Sequence, residues 1–100
     1  MTRKEKREQA KQKQEKIAKE IFKVFMKELK NGDVKNASPT RTADLCANAA
    51  KAADLYVKDL LKTSPQDSVL IQRANTLSVE KYLHPFLNSL KRIFLTGHMN

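Results

Sequence analysis

A chain of 100 residues with 20 Lys and Arg against 11 Asp and Glu carries a formal net charge of +9 and a pI near 9.9. That length predicts one domain near the lower end of what folds around a single core, and the positive balance points to nucleic acid, an anionic membrane surface or an acidic protein face. One cysteine, Cys46, excludes an internal disulfide framework; with no signal-like apolar segment and no run of about 20 large apolar residues, the expected setting is cytoplasmic.

Two glycines and three prolines leave few breaks, at Asn31-Gly32-Asp33, Ser38-Pro39 and Ser64-Pro65. Apolar and polar residues do not alternate over any useful length, so the chain reads as all-α. Thr2 and Glu5 fit a capping box, in which the Thr hydroxyl accepts from the Glu5 amide and the Glu carboxylate reaches back to the Thr2 amide. From Arg3 to Lys16 every residue is Arg, Lys, Glu, Gln or Ala, all good helix formers. Lys11–Glu15, Glu15–Lys19 and Lys16–Glu20 offer ion pairs at i,i+4, worth about 0.2–0.5 kcal/mol each.

The helix changes character at Ile17. Ile17, Ile21, Val24, Phe25 and Leu29, flanked by Phe22 and Met26, follow the helical period and form a wide apolar stripe, while Lys19, Lys23, Lys27 and Lys30 lie away from its centre. Asn31-Gly32 should end the helix, with Gly32 taking the left-handed conformation. Helix one is therefore expected over 3–31, roughly 43 Å at ~1.5 Å per residue, with its basic end protruding. The expected organisation is a basic arm over 1–16 and a helical bundle domain over 17–100.

Ser38 is the expected N-cap of a second helix, with Pro39 in its first turn, running to about Lys62. Its face is narrow and built of small residues: Leu45, Ala49, Ala52, Tyr56 and Leu60, with Cys46 and Ala53 beside them. Ser64-Pro65-Gln66-Asp67 repeats the cap signature for a third helix holding Val69, Leu70, Ile71, Ala74 and Leu77. The last apolar pattern is the strongest: Val79, Tyr82, Leu83, Phe86, Leu87, Leu90, Ile93 and Phe94. Pro85 lies inside it, and a kink is favoured over a break because the period carries through. Gly97 is expected to end the helix. The expected architecture is a compact antiparallel three-helix bundle, or four-helix if Ser78 or Pro85 divides the last segment, with a long protruding N-terminal helix.

The chemistry-bearing signals are few. Arg3, Lys4, Lys6, Arg7, Lys11, Lys13 and Lys16 give the arm seven cations against three glutamates, a net charge of +4, and form the candidate nucleic-acid contact. If all seven met phosphates, log affinity would fall against log salt with a slope near about −6 on duplex DNA. The competing reading is a solvated helix, favoured by the three glutamates and by the scatter of Lys and Arg around all sides of the helix. The aromatics sit at helical spacing on apolar faces, which suits core packing better than base stacking, so any contact would be to backbone phosphate, DNA or RNA, with little sequence preference.

His84 and His98 are far from each other and from Cys46, and no metal-ligand spacing exists. Cys46 within an apolar stripe reads as an inert buried thiol. No cofactor, metal or catalytic constellation is expected, and the chain reads as a non-enzyme. The leading expectation is a small basic protein, accessory or regulatory, whose arm grips nucleic-acid backbone. The alternative is a protein–protein adaptor or inhibitor, a homodimer in one version, docking through helix faces with helix two as its surface. A membrane surface is disfavoured, because a soluble helix packed on a core shows the same amphipathic pattern as Ile17–Leu29.

Overall fold

The computed structural model describes the backbone of residues 2–99 and the side chains of residues 2–92. It is all-α, with no strand among the described residues: α1 Arg3–Asn31, α2 Pro39–Thr63, α3 Ser68–Leu77 and α4 His84–Met99. Short 3-10 turns at Val34–Asn36 and Pro65–Asp67 join the first three, and a π-helical stretch, Ser78–Leu83, joins α3 to α4.

α1 has the bounds its periodicity indicates. Thr2 Oγ1 accepts from the Glu5 amide at 3.2 Å, without the reciprocal bond of a full capping box. Its C-terminus departs from expectation. Gly32 sits at φ −84°, open to any L-residue, and Asp33 takes the left-handed conformation instead at φ 55°. Both Asp33 carboxylate oxygens accept from Asn36 Nδ2 at 3.1 Å, the kind of local bond that lets Asp tolerate this region. Glycine is needed at 32 for a different reason: a Cβ there would stand 2.2 Å from Leu45 Cδ2. The second turn of α2 therefore closes onto the end of α1.

Ser38 caps α2 as its sequence indicates, Oγ accepting from the Arg41 amide at 3.1 Å. Ser64 does not repeat the device. It makes no side-chain cap bond, Pro65–Asp67 forms a 3-10 turn, and α3 starts only at Ser68. The last segment is continuous through Pro85. The His84 amide reaches five residues back to the Val79 carbonyl, so the π-helical turn takes up the disruption that a mid-helix proline imposes on the regular ladder. α4 also passes Gly97, the expected stop, and runs to Met99.

α1 is the element against which the others pack. Ala18, Ile21, Phe25 and Leu29 are buried along one of its faces. Towards the N-terminal side, Ala18 and Ile21 meet Val57 of α2 and Ile71 and Ala74 of α3, with Tyr56, Leu60 and Tyr82 around them. Towards the C-terminal side, Phe25 and Leu29 meet Leu45 and Ala49 of α2, with Leu83 and Phe86 laid over them. Ala49, wholly buried, is where the small-residue face lets α2 approach α1 closely.

Phe22 stacks on Tyr82 at 5.5 Å, and Phe86 meets both Phe22 and Phe25 edge-on at 6.1 Å. From Lys13–Asp67 to Phe25–Phe86, α1 and the segment after Asp67 run in the same direction, and among the described residues α4 reaches α1 only near its own first turn. The strongest apolar pattern in the sequence is thus only half-buried: Val79, Tyr82, Leu83, Phe86, Leu87 and Leu90 all keep partial exposure. Ile93 and Phe94 lie outside the described side chains. The radius of gyration is 16.2 Å, against about 13 Å for a compact domain of this length, so the expected compact shape gives way to an elongated one of 57 × 26 × 15 Å.

Candidate nucleic-acid interface

The first three turns of α1 extend past the other helices. Every side chain from Arg3 to Lys13 is exposed, and the first tertiary tie on the way into the body is Lys13 Nζ to Asp67 Oδ2 at 3.1 Å. The second is Lys81 donating to Glu15 from the π-helical turn. This bond is the main reason the Glu15 carboxyl lies below its ordinary value; burial opposes it, and the charges of Lys81, Lys19 and Lys11 add further attraction. The i,i+4 pairs expected along this stretch do not close: Glu15 spends its carboxylate on Lys81, across to another element.

The regular helix resolves the apparent scatter of arm cations. At about 100° per residue, Arg3, Lys4, Arg7 and Lys11 fall within an arc of about 100°, with Glu5 and Glu8 displaced to one flank. That arc is in line with Ala18, Ile21, Phe25 and Leu29 further along. One face of α1 is therefore cationic where the helix stands alone and apolar where it is covered. Lys6 and Lys16 stand outside this arc, and Lys13 is engaged with Asp67. Arg3, Lys4, Lys6, Arg7, Lys11 and Lys16 make no ion pair.

A second cationic row begins at Lys16 and continues through residues outside the sequence candidates. Lys16, Lys19, Lys23, Lys27 and Lys30 share an arc of about 80° on the side of α1 nearly opposite its buried face, and all are exposed. Their 3-4-4-3 spacing is the available signal, but in sequence it looks the same as the solvent side of any amphipathic helix. Over its length of about 21 Å the row presents five ammonium groups, none in an ion pair.

The remaining polar groups serve the fold. Tyr56 Oη donates to Glu20 Oε2 at 3.3 Å; burial first, then the Glu20 charge, push the phenol up. Cys46 is half-buried, with burial raising its thiol. Phe22, Phe25, Tyr82 and Phe86 pack on one another between the helices, an arrangement of core packing rather than of a row of base-stacking rings. No group of three or more His, Cys, Asp or Glu among the described residues could hold a metal ion. No helix among them is long and apolar enough to cross a membrane. Comparison with family models, with curated proteins and with solved structures finds no match to this chain.

Proposed function

We propose that this is a non-enzymatic binding protein of the cytoplasm that grips nucleic-acid backbone with the projecting end of α1. The observation that carries the reading is the cationic face of the first three turns: Arg3, Lys4, Arg7 and Lys11 side by side, exposed and in no ion pair, on a helix that its own body holds out. Lys6 and Lys16 extend the contact to either side. Lys13 contributes less, because Asp67 competes with phosphate for it. A rigid helix of this diameter fits a groove about 12 Å wide, and lysine and arginine on one of its sides meet phosphates without reading base edges. The expected role is accessory: affinity for DNA or RNA with weak sequence preference.

The test is a titration of a labelled generic duplex and a single strand, at low and moderate salt, with the wild type and an R3Q/K4Q/R7Q/K11Q variant. Glutamine keeps the helix propensity and removes only charge. Six phosphate contacts would give a salt slope near about −5 on the duplex, and losing four should flatten it by about 3 to 4, at ~0.9 per contact. No binding at ~50 mM salt, or a slope unchanged in the variant, would sink the reading.

A further inference from the structure

The C-terminal half of α1 carries a feature that phosphate binding does not use. Beside the lysine row lies an open trough of about 840 Å³, bounded by α1 and the 3-10 turn after it. Phe22, Met26, Leu29 and Val34 make its floor, and Lys23, Lys27, Lys30 and Lys35 stand around its edge. The four ammonium groups are exposed and make no ion pair. Asp33, also at the edge, has its carboxylate engaged by Asn36.

We infer that this trough is a docking site for an acidic amphipathic helix of a protein partner, its apolar ridge on the floor and its carboxylates on the four lysines. Charge complementarity fixes the sign of the partner, since the four lysines lining the trough outnumber Asp33 and favour Asp and Glu. The floor fixes the rest. A polyphosphate would use the lysines and leave Phe22, Met26 and Val34 facing water. A bilayer needs apolar side chains that project, whereas Leu29 is wholly buried and Phe22, Met26 and Val34 are recessed to half-burial. Among the described residues, the large apolar side chains that stand exposed, Leu55 and Val69, are on α2 and α3 and do not line the trough.

From Phe22 to Leu29 the floor is about 10 Å long, two helical turns, which accepts a ridge at i, i+3 or i+4, and i+7. Methionine at its centre adapts to differently shaped ridges. A second copy of this chain is a poor occupant, because its net charge of +9 opposes the lysine edge.

The experiment uses the full chain and a fluorescent synthetic peptide of about 15 residues, long enough to form helix on binding. Leucines form one face and glutamates the other; the control peptide has the same composition with the ridge scrambled. The ordered peptide should bind at least tenfold more tightly than the scrambled one. M26Q should weaken it by about tenfold, as expected for losing one well-buried apolar contact, and M26L should restore it. K27Q/K30Q should weaken it and flatten its salt dependence. The R3Q/K4Q/R7Q/K11Q variant should bind it as the wild type does, which separates this site from the arm.

Equal binding of ordered and scrambled peptides would overturn the inference, as would indifference to M26Q in a variant that melts like the wild type. So would loss of peptide binding in the arm variant. Phosphatidylglycerol vesicles that bind with the same dependence on Met26 would replace the protein partner with a membrane.

Discussion

Replacing Gly32 with alanine should destabilise the protein through a single contact. The backbone at Gly32, φ −84° and ψ 3°, accepts any residue, so alanine brings no torsional strain. By narrowing the unfolded ensemble it would even contribute about 0.4–1 kcal/mol. Against this, the new Cβ would lie 2.2 Å from Leu45 Cδ2 and 3.2 Å from Cδ1 and Cγ. Leu45 is 5% exposed and packs with Phe25, Leu29 and Ala49, so its methyls have little room to retreat. Overpacking of this kind costs about 1–3 kcal/mol, leaving a net loss of about 0.5–2 kcal/mol. At about 4–8 °C per kcal/mol for a domain of this size, thermal melts monitored by far-UV circular dichroism will resolve it. The deciding measurement is the same substitution in an L45V background, where both Leu45 δ-methyls are gone. There the cost of G32A should vanish or reverse, with a coupling of at least about 0.5 kcal/mol. An equal loss in both backgrounds would move the cause to the backbone and refute the close-approach account.

The tie between Glu15 and Lys81 sets a pH dependence. The Glu15 carboxyl is held below its ordinary value chiefly by the bond from Lys81, so its stabilisation is present above the unfolded value near 4.5 and is lost as pH falls through the lower folded one. E15Q should therefore have a lower urea midpoint than the wild type at neutral pH, with the two converging below about pH 4. The raised value of Lys81 does not alter that window, because its ammonium stays protonated until pH rises past 10.5. A constant gap between wild type and E15Q across this range would show that the pair contributes nothing. P85A should raise the melting temperature by an amount equivalent to about 1–2 kcal/mol, less than the about 3 kcal/mol of a proline in regular helix, because the π-helical turn already relieves part of the conflict. A fall in the melting temperature would show that Pro85 holds that turn in place.

Local signals carry much of the fold. Periodicity and the Thr2 and Ser38 caps delimit α1 and the start of α2, because a side-chain hydroxyl at an orphan amide acts within three residues. Ser64-Pro65 looks the same in sequence and behaves differently: Ser64 makes no side-chain cap bond, and Asp67 pairs instead with Lys13 of α1, a contact that local sequence cannot announce. Gly32 shows the same limit: whether a glycine serves a positive φ or a close neighbour depends on Leu45, thirteen residues further along. The half-burial of Leu83, Leu87 and Leu90 is hidden for a related reason. Periodicity says which face is apolar, and the crossing of helices decides how much of it is covered. At the arm, the residue types are legible and their one-sidedness is too, once each position is placed at about 100° steps. The lysine edge of the trough is legible only as charge, because its floor comes from the 3-10 turn as well as the helix.

The wide turn over Ser78–Leu83 bears on how this chain tolerates insertions and deletions. A π-helical turn contains one residue more than the α-helix needs to climb the same distance. Deleting that residue would return the turn to regular α-helix and keep everything after it in nearly the same phase, whereas a deletion within α3 or α4 would turn the residues after it by about 100°. The turn thus works as a phase-setter: it lets α3 and α4 each keep its own apolar line while both answer to α1. Pro85, immediately downstream, discourages that extra residue from migrating further along the helix. Length variation in relatives of this chain should accordingly gather at the 3-10 junctions and, as a single residue, within Ser78–Leu83, and spare the regular turns of α2, α3 and α4.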